Sequence, residues 1–143
     1  MGELVGWAGD KPIQKHYTYQ IPKGTFETYI YRIITVNPDG YSVDWGWDHV
    51  KEFCINNGIK HVPELWRGKK KDLDVNKYQG KKFRQDLGLL QCLPLDSEAP
   101  CDEGIVLRQE GIQAKFYKYK SDAFRLIETK GLDAGEVDME SAE

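Results

Sequence analysis

The chain is poor in the residues that staple or ligate. Its three cysteines, Cys54, Cys92 and Cys101, are odd in number, lack C-x-x-C spacing and have no histidine-rich segment beside them. That argues against a zinc site and leaves the reduced thiols of a cytoplasmic protein as the expectation. His16, His49 and His61 fall into neither a catalytic triad nor a metal-ligand spacing. No apolar run approaches the roughly 20 residues that span a bilayer, and no charged segment followed by a signal-like apolar stretch opens the chain. These absences predict a soluble, intracellular protein with no membrane partner. Internal repeats and low-complexity tracts are also missing.

A surplus of positive charge is lacking overall, since the net charge is −3. Phosphate backbones attract Lys and Arg, so this average alone does not suggest a nucleic-acid partner. The distribution does. Between Arg67 and Arg84 the basic residues Arg67, Lys69, Lys70, Lys71, Lys77, Lys81, Lys82 and Arg84 face only Asp72 and Asp74. This segment reads either as a solvated loop or as a guide for a phosphate backbone. Residues 131–143 form an acidic tail with Asp133, Glu136, Asp138, Glu140 and Glu143, which reads as solvated.

With 143 residues the chain is long enough for one domain with its own core. Tyr17 to Ile21 and Phe26 to Val36 are rich in aromatic and β-branched residues and predict two strands around a Pro22-Lys23-Gly24 turn. Asn37-Pro38-Asp39-Gly40 marks a second turn. Asp44 is then a candidate N-cap for a helix of about three turns carrying Trp47, Val50, Phe53 and Cys54, with Asn57-Gly58 as its stop. Ile59 to Leu65 reads as a short strand, Val75 to Leu87 as a short helix or ordered loop, and the proline-bearing stretch Leu95 to Cys101 as a loop. Gly104 to Arg108 and Gln113 to Lys120, joined through Glu110-Gly111, predict a hairpin, with Ala123 to Thr129 as a further strand. The order of elements suggests an α+β domain built on antiparallel sheet.

Two strands carry the residues with chemistry. Asp102-Glu103-Gly104-Ile105-Val106-Leu107-Arg108 places Glu103 on an apolar strand row, where a carboxylate needs a metal or a lysine as partner. Lys118 and Lys120 lie two apart, so both ammonium groups project from one face of a strand. Such a pair suits either open solvent or an anion such as a triphosphate held between the two. Tyr31 reads as a cross-strand aromatic or a stacking platform, and Glu3 as a solvated residue or a site carboxylate. Trp45, Trp47 and Trp66 read as packing residues, with Trp66 beside Arg67 as a candidate groove rim.

The glutamate block, followed by Lys118-Tyr119-Lys120-Ser121-Asp122-Ala123-Phe124, resembles motifs IV and V of the covalent nucleotidyltransferases: ATP-dependent RNA ligases, DNA ligases and messenger-RNA capping enzymes. The K-x-K-S-x-x-F ending looks most like phage-type RNA ligases. Gly2-Glu3-Leu4-Val5-Gly6 is similar to motif III, and Tyr29-Ile30-Tyr31-Arg32-Ile33 to motif IIIa. The resemblance implies an ATP-grasp-like adenylation domain over residues 1–130. It implies an RNA-repair ligase that joins 5′-phosphate to 3′-hydroxyl ends through lysyl-AMP and adenylylated RNA. Carried over, Glu3 would hold the ribose, Tyr31 would stack on adenine, Glu103 would support Mg2+ or Mn2+, and Lys118 and Lys120 would hold the ATP phosphates. Arg67, Lys69, Lys70, Lys81 and Lys82 would meet RNA ends, including those of a nicked duplex.

One part of the pattern is missing. The family attacks ATP with a lysine in a K-x-D-G motif that stands before motif III, and no such motif occurs here. The expectation is an N-terminally incomplete domain, whose preceding segment supplies the nucleophile and which alone does not self-adenylate. A DNA-ligase fragment and a catalytically inactive nucleotide- or nucleic-acid-binding module are the alternatives.

Overall fold

The computed structural model describes residues 1–133. Its first sheet has three antiparallel strands in the order β2-β1-β3, with β1 over Gly2–Ala8, β2 over Lys11–Pro12 and β3 over Phe26–Ile30. The register sets Glu3 opposite Tyr29 and Gly6 opposite Phe26. Gly6 has φ +111°, and a Cβ there would lie 2.7 Å from the Thr25 carbonyl oxygen, so the close approach of these strands requires glycine.

A second pair, β4 (Ile34–Val36) and β5 (Ser42–Asp44), closes through the Asn37-Pro38-Asp39-Gly40 turn. The Asn37 side chain accepts the backbone N–H groups of Asp39 and Tyr41, a local solution typical of asparagine in turns. Helix α1 (Trp47–Asn56) follows and buries Val50 and Cys54, with Gly58 at φ +65° after its end. Short helical turns occupy Lys70–Asp72 and Val75–Tyr78, and α2 covers Phe83–Asp86. The last sheet is the hairpin β6 (Gly104–Gln109) and β7 (Lys115–Lys120), after which α3 runs over Asp122–Asp133. The acidic tail from Glu136 onward lies outside the described residues.

The antiparallel α+β expectation holds, with five local corrections. Tyr17 to Ile21 forms no strand: Tyr19 and Gln20 adopt left-handed backbone at φ 53° and 58°, because the Asp96 carboxylate accepts from the N–H groups on either side. Phe26 to Val36 is broken at Tyr31 and Arg32, whose N–H groups turn to the Met1 carbonyl. The Ile59 to Leu65 stretch contributes only a parallel bridge between Ile30 and His61.

Ala123 to Thr129 is helix, not strand. The Ser121 hydroxyl accepts the Phe124 N–H at 3.1 Å as an N-cap, and Phe124 and Ile127 then pack inward with helical spacing. Asp44 likewise is no cap: α1 begins after Gly46 without a side-chain cap, and Asp44 is buried at the end of β5.

The core beneath the hairpin is a cluster of Tyr17, Cys101 and Phe124, joined by Tyr19, Leu95, Ala99, Ala123 and Ile127. Tyr17 and Phe124 meet edge to face at 5.8 Å between ring centroids. The Tyr17 hydroxyl donates to the Cys101 carbonyl at 2.7 Å, which satisfies the polar end of a buried ring.

Candidate functional site

Between β1 and the β6–β7 hairpin lies an open hollow of about 260 Å³. Glu3, Leu4 and Val5 form one wall, and Glu103 to Val106 with Lys118 to Lys120 form the other. Ile13, Gln14, Tyr17 and Tyr19 close the remaining side. Thus Glu3, Glu103, Lys118 and Lys120, separated in sequence, face one space.

The hairpin register explains the lysines. Lys118 stands opposite Val106 and Lys120 opposite Gly104, so the two share a strand face. Regular alternation would place Glu103 with Ile105, on the side of Tyr119. At Gly104 the chain departs from strand geometry with φ +145°, and Glu103 lines the hollow together with residues of both hairpin faces, Ile105 and Tyr119 on one and Lys118 and Lys120 on the other. Only glycine fits there, since a Cβ would sit 2.2 Å from the Tyr119 carbonyl oxygen.

Glu103 is half-buried and firmly held. Its backbone carbonyl accepts the Ser121 N–H at 2.7 Å, and its Oε1 accepts the Tyr19 hydroxyl at 2.7 Å. Burial, followed by the charge of Glu103, pushes the Tyr19 phenol well above its ordinary range, so this hydroxyl remains a donor. Beyond the ring, the Arg84 guanidinium lies 5.1 Å from the Tyr19 centroid. Arg84 Nε is also 2.8 Å from Oδ1 of Asp102, a fully buried side chain. Burial raises the Asp102 carboxyl, even against the opposing pull of the Arg84 N–H and guanidinium.

Lys118 is exposed, while Lys120 reaches Glu128 of α3 at 3.0 Å. Glu3 is exposed at the rim of the hollow. Tyr31 is not among its lining residues; the ring rests edge-on against Phe116 of β7 at 5.8 Å. Within the basic segment, Arg67 is tied to Asp48 and Glu64, each at 2.9 Å, so its charge is matched locally. Lys69, Lys70, Lys81 and Lys82 are exposed, and the Lys81 carbonyl accepts the Asp102 N–H at 2.8 Å, which fastens this segment next to Glu103.

Tyr19 and Gln14 line the hollow without having been singled out from sequence. The Gln14 amide nitrogen is buried and has no hydrogen-bond acceptor among the described residues. No local pattern marks either residue, because Tyr19 meets Glu103 across 84 positions of chain. Cys54, Cys92 and Cys101 form no disulfide, and among the described residues no three His, Cys, Asp or Glu side chains are grouped for a metal. No described helix is long and apolar enough to cross a membrane.

Among protein families, the model described as RNA ligase matches residues 1–120. No curated protein and no solved structure matches the chain.

Proposed function

Because the chain belongs to the RNA ligase family, we propose that it takes part in ATP-dependent joining of RNA 5′-phosphate and 3′-hydroxyl ends, with the nucleotide in the hollow. The supporting observation is the convergence of Glu103, Lys118 and Lys120 on one space across a short hairpin. Two ammonium groups beside a strand-opening carboxylate suit a bound polyphosphate: the lysines meet the phosphate oxygens, Lys120 by exchanging its present bond to Glu128, and the carboxylate stands where a cation would neutralise the rest.

The donor set fits Mg2+ or Mn2+ in one specific way. No preformed cage of three ligating side chains occurs among the described residues. Magnesium, however, is commonly taken up by one or two carboxylates together with substrate phosphates and retained water. Glu103 would hold it, and the ion would supply charge neutralisation at the phosphates when bound. Glu3 would take the ribose. Tyr31 would stack on adenine, which requires its present contact with Phe116 to shift. Lys69, Lys70, Lys81 and Lys82 would guide the RNA backbone, with Arg67 a weaker member because its charge is already matched.

No K-x-D-G lysine lies within the 143 residues, so the step assigned to these side chains is sealing. The 3′-hydroxyl oxygen attacks the phosphorus of an RNA end that already carries AMP. A new P–O bond forms while the phosphoanhydride bond breaks, AMP departs, and the hydroxyl proton passes to solvent. Lys118 and Lys120 would offset the charge that builds on the departing AMP.

The test uses 5′-adenylylated RNA and a 3′-hydroxyl RNA strand on a splint, with magnesium and without ATP. The expected result is joined RNA with one AMP released per joint, abolished by Glu103→Ala while the circular dichroism spectrum is kept. Preference for the matching nicked DNA would redirect the reading to a DNA ligase. ATP or RNA binding without any sealing would redirect it to a binding module.

A further inference from the structure

Tyr19 occupies a backbone conformation that an aromatic residue rarely takes. Tyr19 and Gln20 are consecutive non-glycine residues at φ 53° and 58°, and left-handed backbone at such residues is costly unless its surroundings impose it. Here the surroundings do. The Asp96 carboxylate accepts the Thr18 N–H at 2.6 Å, the Thr18 hydroxyl at 2.8 Å and the Gln20 N–H at 2.7 Å. The Gln20 side chain adds a bond to the Leu95 carbonyl at 2.8 Å. The turn is therefore clamped on both sides of Tyr19 by one distant carboxylate.

Core filling alone does not account for this arrangement, since Tyr19 packs only against the edge of the cluster. Tyr17, two positions earlier, is the residue that fills the core, at 1% exposure, and it gives its hydroxyl to a backbone carbonyl. Tyr19 instead gives its hydroxyl to the Glu103 carboxylate at 2.7 Å, with the Arg84 guanidinium against its ring. Arg84 is itself fixed by Asp102 and by the Leu93 carbonyl at 2.8 Å.

We infer that Tyr19 is a positioning residue for sealing, held in a strained turn by Asp96 so that its hydroxyl fixes the Glu103 carboxylate in the hollow. The inference rests on the reading that Glu103 acts in sealing. A carboxylate with one oxygen anchored by a phenol loses rotational freedom, so its remaining lone pairs keep a constant direction in the hollow. Tyr19 acts through Glu103, to which its hydroxyl is committed.

The experiment measures kcat and KM for sealing of 5′-adenylylated RNA by the chain and by Tyr19→Phe, Asp96→Asn and the double variant. Tyr19→Phe keeps the ring and its Arg84 contact and removes only the hydroxyl. It should lower kcat by about tenfold, the scale of one hydrogen bond to an ionised group, with KM for RNA unchanged. Asp96→Asn should lower kcat in the parent yet add little to Tyr19→Phe, since both act through one hydroxyl. If Asp96→Asn does not fold, the Tyr19→Phe result decides alone.

Glu103→Gln is run alongside. Loss of sealing in Glu103→Gln with the parent kcat in Tyr19→Phe, or a rise in KM alone, overturns the positioning role and spares the site reading. Full sealing by Glu103→Gln, or none by the parent, overturns both.

Discussion

Replacing Gly104 by alanine tests the geometry on which the hollow depends. At φ +145° an alanine is strained, and strain of this kind costs about 1–3 kcal/mol. The new Cβ would also lie 2.2 Å from the Tyr119 carbonyl oxygen and 2.8 Å from the Lys120 Cα, whereas real Cβ atoms essentially never approach below 3.0 Å. Strand β7 must therefore recede at the very pair that sets Lys120 against the residue following Glu103. Strain alone should lower the melting midpoint by roughly 3–10 °C for a chain of this size. The shift separates Glu103 from Lys120, and misplacement on the order of 1 Å costs about 100-fold in rate. Thermal denaturation followed by circular dichroism and single-turnover sealing of adenylylated RNA read the two effects separately. A Gly104→Ala protein with the parent midpoint and the parent rate would refute the argument that the close approach of β6 and β7 beside Glu103 requires this glycine.

Other expectations follow from the ion pairs and the core. Asp44 accepts Arg32 Nε at 2.6 Å, Arg32 Nη2 at 2.9 Å and the Ala114 N–H at 2.7 Å, so Asp44→Ala should cost about 3 kcal/mol in urea unfolding by stranding the guanidinium. The hydrogen bonds from Arg32 hold the Asp44 carboxyl below its usual value, and those from Arg67 hold Glu64 at about 2. Both are depressed acids, so their stabilisation is complete above about pH 4.5 and is lost as pH falls, for Glu64 toward 2; denaturation midpoints that stay flat on acidification would contradict it. Phe124→Ala should cost about 3–5 kcal/mol, measured by the same unfolding, because its fully buried ring leaves a cavity against Tyr17. Lys70→Ala and Lys82→Ala should each flatten the salt dependence of single-stranded RNA binding by about 0.7 in log–log slope, whereas Arg67→Ala should leave it nearly unchanged.

The hairpin and its lysines were legible because everything that specifies them is local: two β-prone runs, an Glu110-Gly111 turn and a spacing of two residues. The Asn37 turn was legible for the same reason, since its side chain satisfies its own backbone. What escaped sequence reasoning depends on partners far along the chain. The left-handed turn at Tyr19 needs Asp96, 76 residues from Gln20, and without that carboxylate the tyrosine-rich stretch has every local reason to be a strand. Asp44 reads as a cap until Arg32 and Ala114 claim its oxygens. Residues 123–129 mix β-prone Phe124, Ile127 and Thr129 with the helix formers Ala123, Arg125, Leu126 and Glu128, and the overlooked signal was the preceding Ser121, which caps the helix. That Glu103 and Lys120 would line one hollow was within reach of pattern; the phenol behind Glu103 was not.

Ser121 has one more consequence. Its hydroxyl donates to the Asp102 carbonyl at 2.8 Å, its N–H donates to the Glu103 carbonyl at 2.7 Å, and the same hydroxyl starts α3 through Phe124. The mouth of the hairpin and the last helix thus share a single clasp. Neither can fray without releasing the other, so the amide protons of Ser121 and Phe124 should exchange with solvent at a common rate, and a nucleotide that quiets the hollow should slow both together.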